Sequence, residues 1–182
     1  MDQTPAQAPI RAIWVAGMPF TGKTTLSGLL VEKIRSEGRQ CIRLDGDEVR
    51  DVFDQRLGYD PKSRRRQTAR MLRITTLMAR NKVLPVTAII HPFADDREMC
   101  CSAIPGTFMI VLECDFKKLL RRDTKKLFLP AIRGERKHVV GVDIPFDAPD
   151  GANLVLNTGD LDPEQTLDAA WQAVASRLFV YS

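Results

Sequence analysis

The sequence predicts a three-layer α/β fold, a parallel β-sheet with helices on both faces, and three observations carry that expectation. Strand-like apolar runs alternate with stretches of helical period along the 182 residues. The runs over 83–90 and Thr107–Glu113 are almost unbroken, as parallel strands buried on both faces require. Between the first strand and the first helix stands Gly17-Met18-Pro19-Phe20-Thr21-Gly22-Lys23-Thr24-Thr25, a complete G-x-x-x-x-G-K-T phosphate loop. The loop makes this a P-loop NTPase fold and the chain a nucleoside triphosphate binder.

The elements follow in order. Residues 11–16 form the first strand and deliver the chain to the phosphate loop. Gly17, Thr21, Gly22 and Thr25 shape a cradle of backbone N–H groups, Lys23 adds a mobile cation and Thr24 a hydroxyl for Mg²⁺. Residues 24–37 place Leu26, Leu29, Leu30, Lys33 and Ile34 at helical spacing, and Gly38 stops the helix. Residues 41–44 form a short buried strand that carries Asp45-Gly46-Asp47 at its carboxyl end, where ligands of such sheets bind. A helix begins at 48–53, Leu57-Gly58-Tyr59-Asp60-Pro61 turns, and 63–80 is a long basic helix with a thin apolar face, so part of it lines a cleft.

The strand over 83–90 ends in His91-Pro92-Phe93, a helix is expected over 95–103, the strand Thr107–Glu113 follows, and a basic helix occupies Phe116–Arg122. Residues 123–149 are rich in charge, Gly and Pro and show no period; a loop this long is expected to be a mobile lid over phosphates. A last strand over Leu154–Asn157 and a closing amphipathic helix over 163–179 complete one domain, 10–182, preceded by a loose tail over 1–9. Trp14 and Trp171 lie in apolar surroundings and are core candidates.

Composition limits the possible functions. The apolar fraction of 44% and charged fraction of 27% belong to an ordinary globular protein, and the net charge of +4 is modest. Much of that charge sits in Arg64-Arg65-Arg66 and in Arg121-Arg122 with Lys125-Lys126, which suits polyanionic small molecules. The basic helix lacks the interleaved aromatics of an RNA binder, so no nucleic-acid partner is expected. Cys41, Cys100, Cys101 and Cys114 match no zinc spacing and are expected as reduced, mostly buried thiols. No apolar stretch approaches the ~20 residues of a membrane span, and a cytoplasmic protein without membrane partners is expected.

Phosphoryl transfer to an alcohol needs an oxygen ligand beside Mg²⁺ and a group that accepts the hydroxyl proton; Asp45 and Asp47 supply two carboxylates for these tasks. Asp-Gly-Asp also makes a good turn and helix cap, so that reading stays open. At this point the residues resemble a family. Leu44-Asp45-Gly46-Asp47-Glu48-Val49-Arg50 resembles the L-D-G-D-x-V-R stretch of adenylylsulfate kinases, and Leu57-Gly58-Tyr59 their L-G-F. Arg64 falls on the arginine of their D-R, and Pro92-Phe93 with Asp96-Arg97 resembles S-P-Y-x-x-D-R. Arg122-Asp123-x-Lys125 with Leu127-Phe128 resembles R-D-P-K-G-L-Y, and residues 141–149 resemble G-I-D-S-P-Y-E-A-P.

The resemblance implies an ATP- and Mg²⁺-dependent kinase of sulfate assimilation that phosphorylates the ribose 3′-hydroxyl of adenylylsulfate, and it implies a homodimer. Carried over by position, Lys23, Asp45 and Lys125 are the catalytic candidates, with Thr24 and Asp45 toward the metal. Asp47, Arg50, Tyr59, Arg64, Gln67, Ile90, His91, Lys137 and Val139 are the acceptor-side candidates, Tyr59 stacking on the base. Departures fall on this acceptor side: His91 replaces a serine, Gln67 an asparagine, and Val139 the aromatic that would face Tyr59 across adenine. An aromatic stack is worth about 1–3 kcal/mol per base. Two readings of the acceptor follow: adenylylsulfate, or a related nucleotide such as cytidine diphosphoramidate, whose kinases the stretch 139–143 resembles. A third reading, from another class, is a non-catalytic nucleotide sensor.

Overall fold

The computed structural model describes residues 8–179, so of the expected tail only Ala8 and Pro9 are described. Five strands, β1 (Ala12–Gly17), β2 (Cys41–Asp45), β3 (Leu84–Ile89), β4 (Thr107–Glu113) and β5 (Leu154–Asn157), form one parallel sheet in the order β2-β3-β1-β4-β5. β1 is central, pairing Ile13 with Val86 on one side and with Phe108 on the other, and all six of its residues are buried. Its alternation splits the core in two. Ile13 and Val15 pack with Leu30 and Ile34 of α1 (Lys23–Ser36) and Val174 and Leu178 of α7 (Pro163–Leu178). Ala12, Trp14 and Ala16 pack on the opposite face, with Val49 of α2 (Gly46–Val52), Met71 of α3 (Pro61–Arg80) and Cys100 of α4 (Ala94–Ala103). This is the expected three-layer arrangement, and it brings the carboxyl ends of β1, β2 and β3 to one rim.

Local chemistry sets the ends of the elements. Asp45 closes β2 and caps α2 at once, its side chain accepting from Asp47 N, so the helix starts at Gly46 rather than at the expected residue 48. Asp60 caps α3 through Ser63 N with Pro61 at the first helical position, and Asp162 with Gln165 forms a capping box on α7. Trp14 is fully buried, as expected of a core residue, whereas Trp171 is partly buried at the edge of its cluster. The four cysteines are free thiols, three of them buried, and burial pushes Cys100 up to about 12. Among the described residues no helix is long and apolar enough to cross a membrane.

The segment 123–149 is more ordered than its lack of period suggests. α5 (Phe116–Arg122) leads into it, and α6 (Phe128–Ile132) forms inside it. Asp123 accepts from Leu127 N at 2.9 Å and Phe128 N at 2.7 Å, holding the start of α6. Phe128, fully buried, anchors a third apolar cluster with Cys114, Leu119, Ala131 and Val139. Its ring centroid lies 4.9 Å from that of Phe116 and 5.6 Å from that of Phe20, so the segment rests directly on the phosphate loop.

Candidate active site

At the rim formed by the strand ends lies a cleft of about 680 Å³, walled by the phosphate loop, the start of α2, α3 and the 123–149 segment. The sheet ends there because the chain must leave β1 through a tight backbone. Gly17 has φ 152°, and a Cβ on it would meet Leu112 O at 2.6 Å and Thr21 Oγ1 at 2.7 Å. Gly22, at φ 90°, then turns the chain into α1. Thr21 is buried and supports the loop from within, its hydroxyl donating to Met18 O at 2.9 Å while its carbonyl accepts from Thr158 Oγ1 at 3.0 Å. Gly17 and Thr21 therefore build the loop without lining the cleft, whereas Gly22, Lys23, Thr24 and Thr25 line it.

Lys23 Nζ donates to Met18 O at 2.6 Å. Burial lowers its pKa to about 8, opposed by the negative charge of Asp45 and Asp47, so the ammonium form still prevails at neutral pH. Thr24 Oγ1 donates to Asp45 Oδ2 at 2.8 Å, while Asp45 Oδ1 accepts from Asp47 N at 2.9 Å. Asp45 thus spends one oxygen on the cap of α2 and turns the other to the Thr24 hydroxyl. Cis oxygens on an octahedral Mg²⁺ at 2.0–2.1 Å stand about 3 Å apart, so the Thr24 and Asp45 oxygens fit that ion with little movement.

The acceptor-side candidates gather on the other half of the cleft. Asp47, Arg50, Tyr59, Arg64, Gln67, Ile90, Lys137 and Val139 all line it. The Tyr59 ring is exposed and carries the Arg50 guanidinium at 4.9 Å and that of Arg64 at 5.7 Å. Arg64 is buried, and desolvation lowers its pKa to about 10; its Nη2 donates to His138 O at 2.9 Å, joining α3 to the segment opposite. Gln67, also buried, donates to Gly46 O at 3.2 Å. Lys125 reaches over the cleft to Asp47 at 3.1 Å, and this contact raises its pKa. Val139 both lines the cleft and packs against Phe128, its N–H donating to Asp143 Oδ1 at 2.6 Å.

His91 is placed differently from its neighbours in the sequence. Ile90 faces the cleft, but His91 is fully buried behind it, its ring 5.4 Å from that of Trp14 and neither nitrogen hydrogen-bonded. Burial, reinforced by Arg97, lowers its pKa to about 3. β3 ends at Ile89, and past that end the chain turns so that Ile90 lines the cleft while His91 is buried and does not.

The cleft also includes residues for which the sequence offered only general signs. Arg122 lines it and donates to Thr158 O at 2.8 Å, linking α5 to the threonine that supports the phosphate loop. Phe20 at φ 64°, Arg136 and His138 complete the walls. The basic clusters and the resemblance of Arg122-Asp123-x-Lys125 to R-D-P-K flagged Arg122; nothing in the spacing flagged Phe20 or Thr158.

With this geometry in place, the comparisons with known proteins decide the family. The adenylylsulphate kinase family model matches residues 10–157. The chain belongs to the adenylylsulphate kinase family. The adenylyl-sulfate kinase of Staphylococcus epidermidis is 32% identical to this family member over 158 residues, covering 86% of this chain and 79% of that protein. A probable bifunctional SAT/APS kinase 2 of Sorangium cellulosum is 32% identical over 155 residues; the match covers 85% of this chain but only 27% of that longer protein. The structure of the Mycobacterium tuberculosis APS kinase CysC in complex with AMPPNP and APS shares the fold, with a TM-score of 0.84 at 24% identity over 92% of this chain and 99% of that one.

Proposed function

We propose that the protein transfers the γ-phosphoryl group of ATP to the ribose 3′-hydroxyl of adenylylsulfate. The observation that carries this reading is Asp45: one oxygen accepts from the Thr24 hydroxyl beside the phosphate loop, and the residue lines the same cleft as Arg50, Tyr59 and Arg64. Family membership supplies the acceptor class, since the Staphylococcus epidermidis relative is an adenylyl-sulfate kinase.

The roles follow from position and charge. Gly22 to Thr25 and the start of α1 hold the ATP phosphates through backbone N–H groups and the helix dipole. Lys23 leaves Met18 O for the transferring phosphoryl, where its ammonium stabilises the charge that develops. Asp45 takes the proton of the attacking hydroxyl. Bound Mg²⁺ would be held by Thr24, with Asp45 beside it, and would neutralise phosphate charge. Arg50 and Arg64 grip the anionic part of the acceptor, Tyr59 stacks on its base, and Asp47 and Gln67 add polar contacts. Lys125 and Lys137 approach from the 123–149 segment, which acts as the lid, and the working unit is a homodimer.

A second reading keeps the reaction and changes the acceptor to a cytidine-type nucleotide such as cytidine diphosphoramidate. Val139 favours it: it lines the cleft where the resemblance expects an aromatic to face Tyr59, and a small apolar side chain there suits a smaller ring. Incubation with ATP, Mg²⁺ and each acceptor separates the readings, ADP and 3′-phosphorylated product being measured against Lys23→Ala. Turnover of adenylylsulfate at the higher kcat/KM supports the first; turnover of the cytidine compound alone replaces it; ADP release no greater than in Lys23→Ala with any acceptor rejects both.

A further inference from the structure

Behind the cleft, and not lining it, Arg97 of α4 is 4% exposed, an unusual burial for an arginine. Its fork is spent on backbone oxygens from two distant segments. Nη1 donates to His91 O at 2.8 Å and Pro92 O at 3.2 Å, while Nη2 donates to Asp147 O at 3.1 Å and to Ala148 O. Its Cζ also lies 5.2 Å from the Phe146 ring centroid. Asp147 returns the connection, its N–H donating to Pro92 O at 2.8 Å and its Oδ2 accepting from Ala94 N at 2.8 Å.

The two segments joined in this way run on into two separate parts of the cleft wall. His91 and Pro92 follow Ile90, and residues 147–148 end the stretch that presents Lys137, His138 and Val139. We infer that Arg97 is a positioning residue for the acceptor: it pins the returning end of the 123–149 segment to the tip of β3 and thereby sets the distance between the Ile90 and Val139 walls. The planar fork serves both segments at once, which a single ammonium does less well. The phosphate loop shares none of these bonds and meets the segment through Phe128, away from its returning end, so the ATP half of the cleft depends on them less than the acceptor half does. The inference rests on the proposed two-nucleotide reading of the cleft.

The test uses Arg97→Gln and Arg97→Lys in the full chain, with acceptor and ATP varied in turn and with amide hydrogen exchange on the same samples. Loss of charge-assisted bonds at the root raises the acceptor KM about tenfold or more in Arg97→Gln, leaves the ATP KM within about twofold, and is partly reversed in Arg97→Lys. A merely structural role would lower the active fraction, and with it kcat, without splitting the two KM values. Exchange at the Gly141, Ile144 and Asp147 amides accelerates in Arg97→Gln while that of α1 does not. Should Arg97→Gln fail to fold, Asp147→Ala removes the reciprocal bond to Ala94 N while keeping both carbonyls, and the same split is expected at about threefold. Parallel rises in both KM values, or unchanged exchange at those amides, overturns the inference. If the wild type turns over no acceptor, the proposed function fails, and the exchange measurement still decides whether Arg97 pins the segment.

Discussion

Acidification from about pH 7 to about pH 5 should destabilise this protein by about 2 kcal/mol through His91 alone. In the fold the imidazole is fully buried against Trp14 with no partner for either nitrogen, and its pKa is about 3 against an ordinary 6.5. Burial is the main cause, and Arg97 nearby adds to it while Asp95 opposes it. The unfolded chain therefore takes up a proton that the folded chain refuses, so the stability is full above about 6.5 and is lost as pH falls toward about 3. At about pH 5 the unfolded histidine is almost wholly protonated and the folded one almost wholly neutral, which yields the figure of about 2 kcal/mol. Urea denaturation of wild type and His91→Phe at both pH values isolates the effect, since the other titrating groups are common to both. Phe keeps a ring against Trp14 and removes the titration, so the variant should lack this part of the acid loss and be at least as stable at neutral pH. Equal acid losses in the two proteins would refute the reasoning.

Three further outcomes are expected. Asp45→Asn should lower kcat by about 10²–10⁴ through loss of the proton acceptor, while ATP affinity, read by equilibrium binding, changes by less than about threefold. Phe128→Ala should cost about 3–5 kcal/mol in urea denaturation, because a fully buried ring leaves the cluster that supports both α6 and Phe20. Gly17→Ala should weaken ATP binding by at least about tenfold and lower the melting temperature, since the new methyl would press on Leu112 O and Thr21 Oγ1 at a φ of 152°.

Much of the fold was legible because its signals are local. The nearly unbroken run over 83–90, the periodic leucines of α1 and the glycines of the phosphate loop each state their structure within a few residues, to within one residue of the end of β3. Asp45 was legible as a candidate for the same reason, lying at a strand end beside that loop. The helix α6 was not, because its five residues include Pro130 and are held by Asp123 from outside the helix. His91 shows the opposite case: its place on the serine of the family's S-P-Y made it an acceptor-side candidate, but which way a side chain points past a strand end depends on the exit of the chain. The service of Arg97 was equally hidden, since its partners are carbonyls about fifty residues apart, and carbonyls leave no trace in residue type.

The contact between Lys125 and Asp47 has a consequence for how the enzyme rests between turnovers. Both side chains are about two-thirds exposed, at 65% and 67%, so water and salt shield the pair and it contributes at most about 1 kcal/mol. A tether that weak leaves the two rims in near balance, and incoming phosphate can draw the lysine away from its partner at small cost. Ionic strength then becomes a dial on the empty site: raising it loosens the bridge over the mouth while leaving the buried supports around Thr21 and Phe128 almost untouched.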